Sequence, residues 1–101
     1  MLYGARHPVS VLRPGGAVSH RSWTLSGPVC EAGDILAEEL ALGPGVGEGA
    51  LLAIGEVGAY GLAMASGYNG RLLAAQAVIE SGAVRLSRRR QTLEDVVARD
   101  V

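Results

Sequence analysis

Ala75-Gln76-Ala77-Val78-Ile79-Glu80 and Ala83-Val84-Arg85-Leu86-Ser87-Arg88 are two runs of strand length, and only Ser81-Gly82 lies between them. A two-residue connection ending in glycine between such runs marks a tight antiparallel hairpin, with Val78 and Ile79 on one arm and Val84 and Leu86 on the other. The rest of the chain extends this reading. Ala50 to Ile54 is a continuous apolar run of strand length, expected to be buried on both faces. From Tyr3 to Arg13 the residues favour extended backbone, Pro8 keeps His7 out of the helical region, and Pro14-Gly15-Gly16 ends the run, giving a strand and a turn. Ala17 to Leu25 sets Val18, His20, Ser22 and Thr24 against Ser19, Arg21, Trp23 and Leu25, the alternation of a second strand. Asp34 to Leu40 is short and mixed, and no period decides it.

Between these runs lie the loops. Gly27-Pro28 closes the second strand, and Val29-Cys30-Glu31-Ala32-Gly33-Asp34 is a polar, glycine-bounded segment of the kind that carries chemistry. Gly43 to Gly49 is rich enough in glycine to be expected as a mobile surface connection. Gly58 to Ser66 is compatible with one or two helical turns, stopped by Gly67-Tyr68-Asn69-Gly70. The tail from Thr92 is helical: Thr92 can cap, Asp95 follows three residues on, and Leu93, Val96 and Val97 share a face. The expectation is a mainly β domain of six or seven strands with one or two short helices.

Composition bounds the function. A chain of 101 residues is one domain, and 49% hydrophobic residues exclude a disordered tail. With 4% aromatics and no Phe, the interior must be made of Val, Leu, Ile and Ala. No apolar stretch approaches the ~18–20 residues that cross a bilayer, and no charged segment precedes a hydrophobic run at the N-terminus; membrane and secretory readings fall away and a cytoplasmic setting is expected. A net charge of −1, with Arg88-Arg89-Arg90 as the one dense basic cluster, disfavours nucleic acid. The single cysteine, Cys30, can form no internal disulfide, and with two His it does not complete a closed zinc site, so no metal is expected. All nine basic residues are arginine. Chemistry that needs a lysine amine must therefore take it from elsewhere.

Three side chains stand out. Cys30 and Glu31 would share an exposed bend, against the alternative of a small buried thiol beside a solvated charge. A cysteine-protease arrangement lacks a base, because His7 and His20 fall on strands that nothing fixes near Cys30. Tyr60 follows Gly58-Ala59 where a strand gives way to the expected helix; its phenol either reaches a phosphate or carboxylate there or packs in the core, and Tyr3 and Tyr68 share that ambiguity.

Taken in order, Leu2-Tyr3-Gly4-Ala5-Arg6-His7-Pro8, Gly27-Pro28-Val29-Cys30-Glu31-Ala32-Gly33-Asp34, Gly58-Ala59-Tyr60-Gly61 through Met64, Ser66 and Tyr68-Asn69, and Arg88-Arg89-Arg90-Gln91-Thr92-Leu93-Glu94-Asp95 resemble the C-terminal domain of diaminopimelate decarboxylases. The wider group is the pyridoxal-phosphate decarboxylases of basic amino acids with an alanine-racemase-like barrel. The resemblance spans essentially the whole chain, residues 1–101. It implies a β-sandwich or barrel-like C-terminal domain, a separate N-terminal β/α barrel that carries the lysine for pyridoxal 5'-phosphate, and a homodimer whose sites form at the interface. It further implies that Cys30 is catalytic, donating a proton to Cα after carbon dioxide leaves. Glu31 would bind the distal ammonium of a small amino-acid substrate, Tyr60 would sit beside the cofactor phosphate and the substrate, and Tyr3 would help hold substrate. Glutamate after the cysteine matches the diaminopimelate type, where ornithine enzymes resemble it with aspartate.

The chain also departs from the family. Its start falls inside the first motif, and Arg71-Leu72-Leu73-Ala74-Ala75-Gln76 stands where the family usually shows prolines and a glutamate. Two other readings follow: a stand-alone β interaction module that keeps the fold without catalysis, or a decarboxylase of the same group acting on ornithine or carboxynorspermidine. With the barrel and a neighbouring strand missing, an exposed apolar patch or edge-to-edge association is expected.

Overall fold

The structure is a computed structural model that describes residues 6–16 and 22–100. Among the described residues six strands, β1 (Val9–Arg13), β2 (Trp23–Ser26), β3 (Ile35–Leu40), β4 (Leu51–Ile54), β5 (Gln76–Glu80) and β6 (Ala83–Arg88), precede one short α-helix, α1 (Leu93–Val97), with a single 3-10 turn at Tyr68–Gly70 between β4 and β5. The mainly β expectation holds. Among the described residues the strands pair as three antiparallel couples, β1 with β4, β2 with β3 and β5 with β6. The chain divides into two units, one up to Leu62 and one from Ala63 on.

In the first unit β1 starts only after Pro8, because proline cannot donate to a ladder. The Pro8 carbonyl instead accepts the Gly55 N–H at 2.8 Å. His7 adds a second tie: Nδ1 donates to the Gly55 carbonyl at 3.1 Å, which fixes the proton on that nitrogen. The expected strand from Tyr3 is thus shorter at its start, and Tyr3 itself lies outside the described residues, as do residues 17–21 of the second expected strand. β4 is not buried on both faces. Among the described residues it pairs with β1 alone, and Leu51 is 49% exposed.

The glycine-rich segment from Gly43 to Gly49 is docked rather than loose. Gly15 N–H donates to the Gly45 carbonyl at 3.1 Å and Gly16 N–H to the Glu48 carbonyl at 2.8 Å. A Cβ at Gly15 would collide with the Gly47 and Glu48 carbonyls and the Ala50 nitrogen, so only glycine lets the two turns approach. Between them sits Val46, 4% exposed and the only buried hydrophobic side chain among the described residues. β3, undecided by sequence, pairs with β2 through a bulge: Trp23 faces Leu40 and Leu25 faces Ala37, with Glu39 in the left-handed region at φ 54°.

The second unit follows its sequence cues. Ser81 (φ 50°) and Gly82 (φ 79°) form the tight turn between β5 and β6. Ala77 pairs with Leu86 and Ile79 with Val84, which places all four on one face. That face is open: Ile79 is 76%, Val84 70% and Leu86 62% exposed. The expected apolar patch is therefore present. Gly58 to Met64, by contrast, forms successive turns with Gly61 N–H bonded to the Val57 carbonyl at 2.6 Å, and no regular helix develops. Gly58 and Gly61, each about 1 kcal/mol worse than alanine in a helix, fall within its first turn. Asn69 (φ 54°) and Gly70 (φ 69°) then make the expected sharp turn, closed by Arg71 N–H on the Tyr68 carbonyl at 3.3 Å. α1 has the expected capping box: Thr92 Oγ1 accepts the Asp95 N–H and the Asp95 carboxylate accepts the Thr92 N–H at 2.8 Å.

Candidate active-site loop

β2 and β3 lie side by side, so the segment from Gly27 to Asp34 must reverse the chain within one strand spacing. Asp34 braces this reversal with three hydrogen bonds. Its carbonyl accepts the Gly27 N–H at 2.8 Å, and its own N–H donates to the Glu31 carbonyl at 3.0 Å. Its carboxylate Oδ2 accepts the Val29 N–H at 3.0 Å. Midway along this loop stand Cys30 and Glu31, both exposed. The alternative of a buried, core-packing Cys30 is overturned: both residues stand exposed on one bend.

Two glycines shape that bend. A Cβ at Gly27 would fall on the Asp34 carboxylate, whose oxygens and Cγ are the three nearest atoms. A Cβ at Gly33 would lie 2.7 Å from Glu31 Oε2, so the Glu31 carboxylate turns back over the space that Gly33 leaves. Sequence reasoning did not single out Asp34. The available signal was its position at the far end of a glycine-bounded loop, since aspartate readily accepts nearby backbone N–H groups.

Tyr60 stands on the turns after β4, in the same unit, and is 71% exposed. Neither a core tyrosine nor a helix start describes it. Its phenol is presented to solvent, free of core packing, where a ligand or a neighbouring protein surface can meet it. His7 is engaged with Gly55, and His20 lies outside the described residues. Among the described residues no three His, Cys, Asp or Glu side chains gather as a metal site. No helix there is long and apolar enough to cross a membrane.

Comparison with known proteins meets this geometry. The chain is 41% identical over its whole length to the diaminopimelate decarboxylase of Deinococcus radiodurans, of which it covers 26%. It is 38% identical over 99% of its length to that of Neisseria meningitidis serogroup A, covering 24% of that protein. Among solved structures, diaminopimelate decarboxylase from Helicobacter pylori complexed with L-lysine matches 96% of this chain and 23% of its own, at 35% identity and a TM-score of 0.79. The enzyme from M. jannaschi matches 99% of this chain and 22% of its own, at 31% identity and a TM-score of 0.84. The chain thus spans about a quarter of the length of the relatives it matches. The family model described as pyridoxal-dependent decarboxylase, C-terminal sheet domain, matches residues 1–58, and the chain belongs to that family.

Proposed function

We propose that this chain is the C-terminal sheet domain of a pyridoxal-phosphate-dependent diaminopimelate decarboxylase, converting meso-diaminopimelate to L-lysine and carbon dioxide in the cytoplasm. It would complete a site whose barrel domain and dimer partner supply the rest. The observation that carries the reading is the Gly27–Asp34 loop, which presents Cys30 and Glu31 together and exposed in a chain 41% identical over its full length to a diaminopimelate decarboxylase. The residues suit the coenzyme as accessory groups. Tyr60 offers an exposed phenol as a donor to a phosphate. With no lysine in the sequence, covalent anchoring falls to another segment.

Pyridoxal 5'-phosphate, when bound, draws off the electron pair left on Cα as carbon dioxide departs. This chain's residues orient and protonate. The Glu31 carboxylate accepts charge-assisted hydrogen bonds from the distal ammonium of the substrate, and these select a diamino acid. The Cys30 thiol donates a proton to Cα from one side, which sets the stereochemical outcome. Tyr3 would contact the substrate as well.

The test is the holoenzyme containing this chain, assayed with meso-diaminopimelate, ornithine and carboxynorspermidine. Turnover of the first, with Cys30→Ala and Glu31→Ala each lowering it far more than they alter thermal unfolding, supports the reading. Turnover of another diamine acid alone removes the substrate assignment, and full activity in both variants removes the site assignment. The isolated chain mixed with coenzyme should show no lysine-bound absorption band.

A further inference from the structure

Asp34 ties the Cys30–Glu31 loop at three points, to Gly27, Val29 and Glu31. Its carbonyl and N–H close the base and the terminal turn, as any residue there could. Its carboxylate does something specific: Oδ2 takes the Val29 N–H at 3.0 Å, one residue before the thiol. Pro28 has no N–H to offer, so the Val29 N–H is the nearest backbone donor before Cys30 that the Asp34 carboxylate can take. Gly27 completes the device. Its missing Cβ is the space in which the Asp34 carboxylate lies, so glycine and aspartate form a matched pair across the loop's base. Asp34 is half-buried, while Cys30 and Glu31 are exposed, which puts the fastener below the groups it aims.

We infer that Asp34, seated over Gly27, is a positioning residue that holds Cys30 and Glu31 at their reacting geometry through the Val29 N–H. The inference rests on the proposed role of Cys30 and Glu31. It requires a carbonyl-type acceptor at that reach and does not require a charge. Asparagine keeps the acceptor and loses the charge; glutamate keeps the charge and moves the acceptor by one methylene. Gly27→Ala acts from the other side, pushing the carboxylate off Val29 without touching Asp34 chemically.

The experiment uses the holoenzyme containing this chain and two readouts, kcat/KM for its diamino acid and hydrogen exchange of the peptide spanning residues 27–34. Asp34→Glu, Asp34→Ala and Gly27→Ala are expected to lower kcat/KM about a hundredfold, the scale of a reacting group misplaced by about 1 Å, and to speed exchange in that peptide. Asp34→Asn is expected to stay close to the parent on both. The double variant Gly27→Ala/Asp34→Ala should be no worse than either single change, because both break one bond. Asparagine as damaging as glutamate, or glutamate as harmless as asparagine, overturns the inference. So does unaltered exchange in Asp34→Ala. If that variant does not fold, the Asn and Glu pair decides alone. Cys30→Ala and Glu31→Ala are run beside them: full activity there defeats the functional reading, whereas impaired activity there with an unimpaired Asp34→Glu defeats only this one.

Discussion

A carboxylate that turns back over a glycine can be moved by a single methyl group. At Gly33 the backbone is not in the left-handed region, and a Cβ would meet only the end of the Glu31 side chain, 2.7 Å from Oε2. Alanine there leaves the fold nearly untouched, within about 0.5 kcal/mol, because a flexible exposed side chain gives way. The Glu31 carboxylate, however, loses its present seat. Gly33→Ala in the holoenzyme is therefore expected to raise KM for the diamino acid with a smaller change in kcat, at an unchanged midpoint of thermal unfolding. Equal losses in kcat and kcat/KM would mean that the Glu31 rotamer matters to the reacting step and not to binding. The exposed bend of Cys30 and Glu31 is legible in the sequence because such loops are set locally: glycine and proline bound the segment and a polar pair fills it. Asp34 is not, because its role depends on where the chain returns after the reversal. Val46 shows the same limit, since it is buried by a turn thirty residues away in sequence that brings Gly15 and Gly16 against its loop.

The elements read correctly are those set by neighbours in sequence. The β5–β6 hairpin follows from Ser81-Gly82 and α1 from Thr92 and Asp95. β3 was unreadable for a physical reason: Glu39 sits at φ 54° in a bulge, which breaks the alternation that a period of two would show. The helix expected from Gly58 is interrupted by Gly61 within its first turn, and successive turns take its place. Ser81 bears the cost of a left-handed backbone that asparagine tolerates better, so Ser81→Asn should stabilise the hairpin by up to about 1 kcal/mol, read as a higher denaturant midpoint. At the other end of the hairpin, Arg89 grips Asp95 with two hydrogen bonds of 2.5 and 2.6 Å, on the carboxylate that also caps Thr92. The side-chain hydrogen bonds from Arg89 lead the causes, followed by the Thr92 N–H, and together they hold the Asp95 carboxyl well below the usual carboxylate range. A depressed folded-state value means that its contribution is fully present above the ordinary carboxylate value near 4 and is lost only as pH falls through the lower folded value. The amides of Asp95 and Thr92 should accordingly keep their exchange protection, corrected for intrinsic rates, from neutral pH through pH ~4 and lose it only well below that, as the folded-state carboxyl takes up its proton. Loss of protection already at pH 6 would mean that the pair is not what holds the cap.

At the scale of the whole chain the surface is the argument. One buried hydrophobic side chain among the described residues is too small a core to offset the entropy of ordering them. The open face of β5 and β6, with Ala77, Ile79, Val84 and Leu86 in register, is the most regular apolar area in the second unit. Under the proposed function the remainder of the decarboxylase assembly covers it. Ile79→Glu or Val84→Asp then leaves the hairpin's own pairing intact, because both side chains already face outward, yet places a charge in the covered surface. Burial of one such side chain is worth about 2 kcal/mol, so each substitution should weaken assembly about thirtyfold, with a further loss from the charge. Sedimentation or light scattering of the holoenzyme over a dilution series reads this directly, and activity should fall along the same curve. The control is Glu80→Gln, on the opposite face of the same hairpin, which should dissociate like the parent. If Ile79→Glu and Val84→Asp also assemble like the parent, the face is a solvent surface and no part of the assembly covers it.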